Sequence, residues 1–129
     1  MTNNSFQVIS TTEAPGAIGP YSQAIRIGGL LFTSGQLGID AATGTMPATV
    51  EEQAECSLRN VKSILEAAGT DMSHIIKTTV FLQDMNDFQK VNDIYAKFFT
   101  QPYPARSAVQ VARLPKDGLV EIEVIATIE

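Results

Sequence analysis

Apolar positions recur at two periods along this chain, and the switches between them mark its elements. Val50, Ala54, Leu58, Val61, Ile64, Leu65 and Ala68 fall three or four apart, the spacing of one helix face. Thr49 and Glu52 have the form of a capping box before this run, and Gly69 stands where a C-cap glycine belongs. Ile75 to Leu82 is rich in β-branched residues and predicts a strand. A second helix is expected from near Asp87 to Phe99, with Asn86 and Gln89 as its capping pair. Val91, Ile94 and Phe98 form one stripe on it, and Phe88, Asn92, Tyr95 and Phe99 a neighbouring one. Such a stripe belongs in a core, where Asn92 needs hydrogen-bond partners.

The first third predicts a short strand, Phe6 to Ser10, and an irregular loop around Ala14-Pro15-Gly16 and Gly19-Pro20. Strands at 24–27 and 30–34 flank Gly28-Gly29 as a hairpin. Residues 1–5 carry no pattern and are expected to fray. The last third predicts a second hairpin: 106–112 and 119–128 flank Pro115-Lys116-Asp117-Gly118, a strong turn signal. The order is close to ββ-α-β-α-ββ. It predicts a single α+β domain over residues 1–129, with a mixed sheet and both helices on one face.

Alternation assigns the faces of the last hairpin. Val120, Ile122, Val124, Ala126 and Ile128 point at the helices, with Val109 and Val111 of the partner strand. Leu119, Glu121, Glu123, Ile125 and Thr127 point away, with Arg106, Ala108 and Gln110. In a hairpin centred on Lys116-Asp117, Arg106 faces Thr127 and Glu121 faces Ala112. Arg106 and Glu121 then lie ~20 Å apart on one face and meet only if they come from different chains. The uncovered face is mixed in character and is expected to pack on another copy of the chain.

Composition narrows the function classes. Nine basic against fourteen acidic side chains give a net charge of −5, with no basic run, so nucleic acid is not the expected partner. No apolar stretch is long enough to span a membrane, and no basic-then-apolar leader opens the chain, so a cytoplasmic protein is expected. The single Cys56 fits a reducing compartment and reads as a helix residue. The lone His74 reads as a loop residue, and without a Cys/His cluster no metal site is expected. On pattern alone, Arg26 and Arg113 stand level with Arg106, and Glu123 with Glu121.

Pro104 to Ala126, PARSAVQVARLPKDGLVEIEVIA, resembles the signature of the Rid (reactive intermediate deaminase, YjgF-like) family, RidA branch. Gly19-Pro20-Tyr21-Ser22-Gln23-Ala24, Thr33-Ser34-Gly35-Gln36, residues 77–82 and residues 85–92 resemble further family segments, so the likeness covers almost the whole chain. The resemblance implies a chorismate-mutase-like fold and homotrimers with clefts between subunits. It implies cofactor-free hydrolysis of 2-iminobutanoate and 2-iminopropanoate, products of pyridoxal-phosphate enzymes acting on threonine and serine. By position, Arg106 matches the arginine that binds the substrate carboxylate, and Glu121 the carboxylate that positions the attacking water. Tyr21 and Asn92 match cleft residues, Phe88 an apolar wall, and Gly35 and Ala108 places where backbone groups meet the ligand. Many relatives have cysteine where this chain has Ala108, and the loop Gln101-Pro102-Tyr103 is shorter than in some. Two non-enzymatic readings compete: a carboxylate-binding sensor that keeps the Arg106 clamp without turnover, and a chaperone-like role that does not need it.

Overall fold

The computed structural model describes residues 5–129. Residues 1–4, most of the segment expected to fray, lie outside the described residues. The elements follow in the order β1 (Phe6–Ile9), β2 (Ala24–Ile27), β3 (Leu30–Thr33), β4 (Gln36–Leu37), α1 (Val50–Ala67), β5 (Ile75–Leu82), α2 (Phe88–Tyr95), β6 (Ala105–Gln110) and β7 (Val120–Thr127). They build the expected two layers. One sheet runs β1-β2-β3-β7-β5-β6, with the short β4 also on β7. The helices cover one face, and the core lies between the layers around Leu31, Leu58, Ile64, Leu82, Val91 and Ile122.

The first helix forms where its signals stand. Thr49 Oγ1 accepts from the Glu52 N–H at 3.2 Å and donates to the Glu52 carboxylate at 2.9 Å. Gly69 follows the C-cap with a φ of 86°, a left-handed conformation that favours glycine. The buried polar residues of α1 fasten the sheet to it. Ser57 Oγ donates to the Gln36 carbonyl at 2.7 Å. Asn60 Nδ2 donates to the carbonyls of Leu37 at 3.1 Å and Ile39 at 2.9 Å. Gln53 donates to the Pro47 carbonyl at 2.8 Å and accepts from the Leu119 N–H at 2.9 Å. Together they hold β4 and the start of β7 in place.

The second helix differs from expectation. It spans Phe88–Tyr95, and a separate 3₁₀ turn, Met85–Asp87, precedes it. The cap of that turn is Asp84, which accepts from the Asn86 N–H at 2.9 Å. Asn86 and Gln89 are not a capping pair, because Gln89 turns forward to Asp93 Oδ1 at 2.9 Å. Beyond Tyr95 the chain tightens: Lys97 and Phe98 donate to carbonyls three residues back, and the helix does not reach Phe99. Phe99 is still buried, stacked on Tyr95 with ring centroids 4.3 Å apart.

The larger correction concerns the last hairpin. The turn exists, as a 3₁₀ turn over Pro115–Asp117 with Lys116 and Asp117 both at φ 55°. The strands it joins do not pair with each other. β5 lies between them, parallel to β6 and antiparallel to β7. The face assignment of β6 therefore reverses. Arg106 stands opposite Thr78 and Ala108 opposite Val80, and both β5 residues are buried beneath the helices. Val109 stands opposite Phe81 on the uncovered side and is 43% exposed. Glu121, Glu123, Ile125 and Thr127 do take the uncovered face, as expected, while Val120, Ile122, Val124 and Ala126 are buried. Pairing across β1, β2, β3 and β7 puts Phe6, Val8, Ile25, Ile27, Leu30, Phe32 and Ile125 on that same face. It is a broad apolar surface beside a strip of glutamates.

His74, expected in a loop, closes a 3₁₀ turn at Met72–His74, where its Nδ1 lies 3.0 Å from Asp71 Oδ1. Hydrogen bonds from Ser73 and then His74 hold the Asp71 carboxyl down at about 2. The bond to Asp71 raises the imidazole in turn. Stability from this pair is complete below the ordinary imidazole value with Asp71 ionised. It is lost as pH rises through the raised His74 value, and again as pH falls towards 2. His74 is the only histidine, so its NMR titration is unambiguous. Its midpoint is expected above the usual ~6.5 and should return towards it in Asp71→Asn. An unchanged midpoint in that variant would show that the contact does not hold in solution.

Candidate active site

Five of the seven sequence-predicted site residues fall into two hollows. The first, 610 Å³, lies over the Glu121 end of β7 and takes in Tyr21, Gly35, Leu37, Ile39 and Lys116. Its floor comes from a bulge. Between Phe32↔Ile125 and Gln36↔Ile122, residues 33–35 oppose only residues 123–124. Such an extra residue bends a strand and re-aims its neighbours. Here it lays Gly35 on the Glu121 side chain, so closely that a Cβ at position 35 would sit 2.7 Å from Glu121 Cδ. A side chain at position 35 would push the carboxylate out of this place.

The loop carrying Tyr21 is tied to that bulge. Ser34 donates from its backbone to the Gln23 carbonyl at 2.9 Å and from Oγ to the Ser22 carbonyl at 2.6 Å. Gln23 is buried; its Nε2 donates to the carbonyls of Thr11, Ala14 and Pro15, and its Oε1 accepts from the Thr11 N–H at 2.7 Å. Tyr21 itself is left exposed at the rim. Glu121 is half-buried. That burial, and then the neighbouring Glu123, push its carboxyl above the ordinary glutamate value. A raised carboxyl is the stronger base once ionised, which suits it to take a proton from water.

The second hollow, 450 Å³, is lined by Asn92, Tyr95, Ala96, Tyr103, Pro104 and Arg106. Arg106 Nη1 donates to Asn92 Oδ1 at 2.7 Å. The guanidinium carbon lies 4.8 Å from the Tyr95 ring centroid and 5.3 Å from that of Phe88. Asn92 thus finds the partner its place in the stripe demands, while Phe88 lies beside the guanidinium without lining the hollow itself. Among the described residues Arg106 has no carboxylate within ion-pair distance, whereas Arg113 Nε meets Asp117 at 2.9 Å. A planar cation held beside aromatic rings with N–H groups to spare suits a bidentate carboxylate. Ala108 lines neither hollow; it packs on the core two residues along β6 from Arg106.

Within one chain the two hollows do not meet. Arg106 is level with Thr78 and hence with Val124, three residues along β7 from Glu121. Two strand spacings and three residues put their Cα atoms ~14 Å apart. Their side chains leave opposite faces of the sheet, which corrects the expectation of a shared face. Sequence reasoning did not mark Tyr95, Gln23 or Ser34 as site residues. For Gln23 and Ser34 the signal was at hand, since both stand within the segments that carry the resemblance. Tyr95 read as core, which it also is.

A third hollow, 640 Å³, lies between α1 and residues 97–104 and contains none of these residues. Charges of both signs line it: Lys62 and Lys97, Glu66 and Asp71. Cys56 sits on α1 beside Asp40, and burial raises its thiol above the ordinary value. Among the described residues no group of His, Cys, Asp and Glu has metal-site geometry, and no helix is long and apolar enough to cross a membrane.

Known proteins resemble this chain in sequence and fold. The family described as Endoribonuclease L-PSP matches residues 11–128. A 2-iminobutanoate/2-iminopropanoate deaminase of Escherichia coli K12 is 53% identical over 123 residues, spanning 93% of this chain and 96% of its own. A protein of the same name from Bos taurus is 52% identical over 121 residues, spanning 93% and 88%. The crystal structure of E. coli TdcF with bound serine matches with a TM-score of 0.92 at 52% identity, covering 95% of this chain and 99% of that one. The chain therefore belongs to the Endoribonuclease L-PSP family, the Rid (YjgF-like) family that its sequence segments resemble.

Proposed function

We propose that this protein is a deaminase that hydrolyses reactive 2-imino acids and their enamine tautomers to 2-keto acids and ammonia. The observation that carries the reading is Arg106: a cationic fork beside two aromatic rings, held by Asn92 and with no acidic partner among the described residues. It fits a substrate carboxylate. The names of the relatives support 2-iminobutanoate and 2-iminopropanoate as the substrate class.

The catalytic pair comes from two chains in this reading. The apolar sheet face is covered by other copies, three in all, and each cleft joins the Arg106 hollow of one subunit to the Glu121 hollow of the next. Arg106 holds the carboxylate. Ionised Glu121 takes a proton from water as the oxygen attacks C2 of the protonated imine, giving a carbinolamine. Glu121 gives that proton to the nitrogen and takes the hydroxyl proton as the C–N bond breaks; this proton goes to the departing ammonia, so the keto acid and ammonium leave. Glu121 ends as it began, and no thiol is called on at Ala108. The protein works in the cytosol beside the pyridoxal-phosphate enzymes that release such imines.

The test is a coupled assay in which threonine dehydratase makes 2-iminobutanoate and semicarbazide traps it. The protein is expected to divert imine to 2-ketobutanoate before trapping. No diversion by folded, oligomeric protein would remove the reading. Cleavage of RNA without diversion would favour the nuclease description of the family instead. Sedimentation is expected to give about three times the 13.9 kDa chain mass.

The raised Glu121 carboxyl sets a pH dependence. The ionised form is the active one, so kcat/KM falls as pH drops through the Glu121 value, and this limb should lie above the ordinary ~4.3. Removing the nearby charge with Glu123→Gln should move the limb to lower pH. A limb that stays in place in that variant would assign the titration to another group.

A further inference from the structure

We infer that Tyr95 is a positioning residue for Arg106, holding the guanidinium in the plane that receives the substrate carboxylate. The inference rests on the proposed role of Arg106 as anchor.

Three observations meet at this side chain. Thr78 and Arg106 are direct cross-strand partners on the helix-covered face of β5 and β6. Tyr95 spans both from α2. Its hydroxyl is 2.9 Å from Thr78 Oγ1, a bond in the buried core, and its ring lies under the guanidinium at 4.8 Å. Thr78 has no solvent exposure and Tyr95 very little, so water does not replace that bond. On its other side the ring stacks on Phe99, with planes 27° apart. The ring is therefore fixed in plane, tilt and position before any ligand arrives.

A long arginine on an exposed edge strand samples many rotamers, and ordering it on binding costs affinity. Here the guanidinium has its plane set by Tyr95 and its rotation about that plane set by Asn92 Oδ1 at 2.7 Å. Asn92 and Tyr95 are one helical turn apart on α2, so a single element supplies both constraints. Neither uses the remaining N–H groups, which stay available for a carboxylate. Tyr95 need not touch substrate to do this.

The experiment measures 2-ketobutanoate binding by calorimetry together with kcat and KM, on the full-length oligomer. Tyr95→Phe keeps the ring and removes the pin; Tyr95→Leu removes the ring. The dissociation constant and KM are expected to rise about threefold in the first and about tenfold in the second, the scale of a lost cation–π contact. kcat should stay within about twofold in both, because the chemistry lies at Glu121. The Arg106 Nε–H resonance is expected to be sharp in the native protein and to broaden in step with the loss of affinity.

A purely structural Tyr95 would lower the melting temperature and leave KM and the Arg106 resonance unchanged, which overturns the inference. Should Tyr95→Leu not fold, Tyr95→Phe and Thr78→Val decide the matter by the same readouts. Arg106→Ala separates the two levels. If it leaves 2-ketobutanoate binding intact, the anchor reading itself fails. If it abolishes binding while the Tyr95 variants bind normally, only the positioning role fails.

Discussion

Arg106→Ala is expected to lower kcat/KM for 2-iminobutanoate by roughly 100- to 1,000-fold, the loss of two charge-assisted hydrogen bonds of about 2 kcal/mol each. The fold should stand. Arg106 is exposed on an edge strand, and the Tyr95 and Phe99 rings keep their stacking without it. Asn92 loses one donor at a position that water reaches. Arg106→Lys should recover little, because an ammonium presents a point charge where a planar fork spans both carboxylate oxygens and lies over the Tyr95 ring. The threonine dehydratase assay reads both variants. A native rate in Arg106→Ala would remove Arg106 from the site, and with it the observation on which the function rests.

Glu121→Gln is expected to cut kcat by about 100- to 10,000-fold, the range for a lost general base, while product binding survives. Stability should not suffer at neutral pH. The raised carboxyl means that folding holds this charge at a cost, and glutamine removes the charge without changing the shape. The two variants together test the geometry. If each cleft takes Arg106 from one chain and Glu121 from its neighbour, some clefts of a mixed oligomer are wholly native. Equal amounts of the two variants, unfolded and refolded together, should regain about a quarter of native activity by random assortment. If both residues served a site within one chain, every cleft would carry a defect and mixing would restore nothing.

Much of the fold was legible because its signals are local. The cap at Thr49, the seven-residue apolar stripe behind it and Gly69 specify α1 without reference to the rest of the chain. The run from Ile75 to Leu82 is a strand on both of its faces. What the sequence could not show was partnership. Pro115 to Gly118 marks a reversal of direction, and that reversal is real, but a turn says nothing of which strand fills the space between its arms. β5, some thirty residues earlier, takes that place beside β6. With the hairpin pairing gone, the parity of β6 reversed, and Arg106 moved from the glutamate face to the helix face. The expectation that Arg106 and Glu121 of one chain stay apart agrees with the structure, for a different reason: a strand and the sheet itself separate them. The bulge at 33–35 was equally hidden, since it exists only as a mismatch between two strands distant in sequence.

The two halves of the proposed machinery also differ in how firmly they are held. Glu121 rides on β7, which has hydrogen-bonded strands along both sides. Arg106 rides on β6, which among the described residues is bonded along one side, to β5. Interior strands open only with the whole domain, whereas a rim strand frays on its own. A solitary chain would thus hold its acid rigidly and its anchor loosely, each without its counterpart. Docking the next subunit would close the cleft and steady its rim in one event. Turnover in a cell would then follow how many chains have found their neighbours, and a newly made or diluted chain would stay silent.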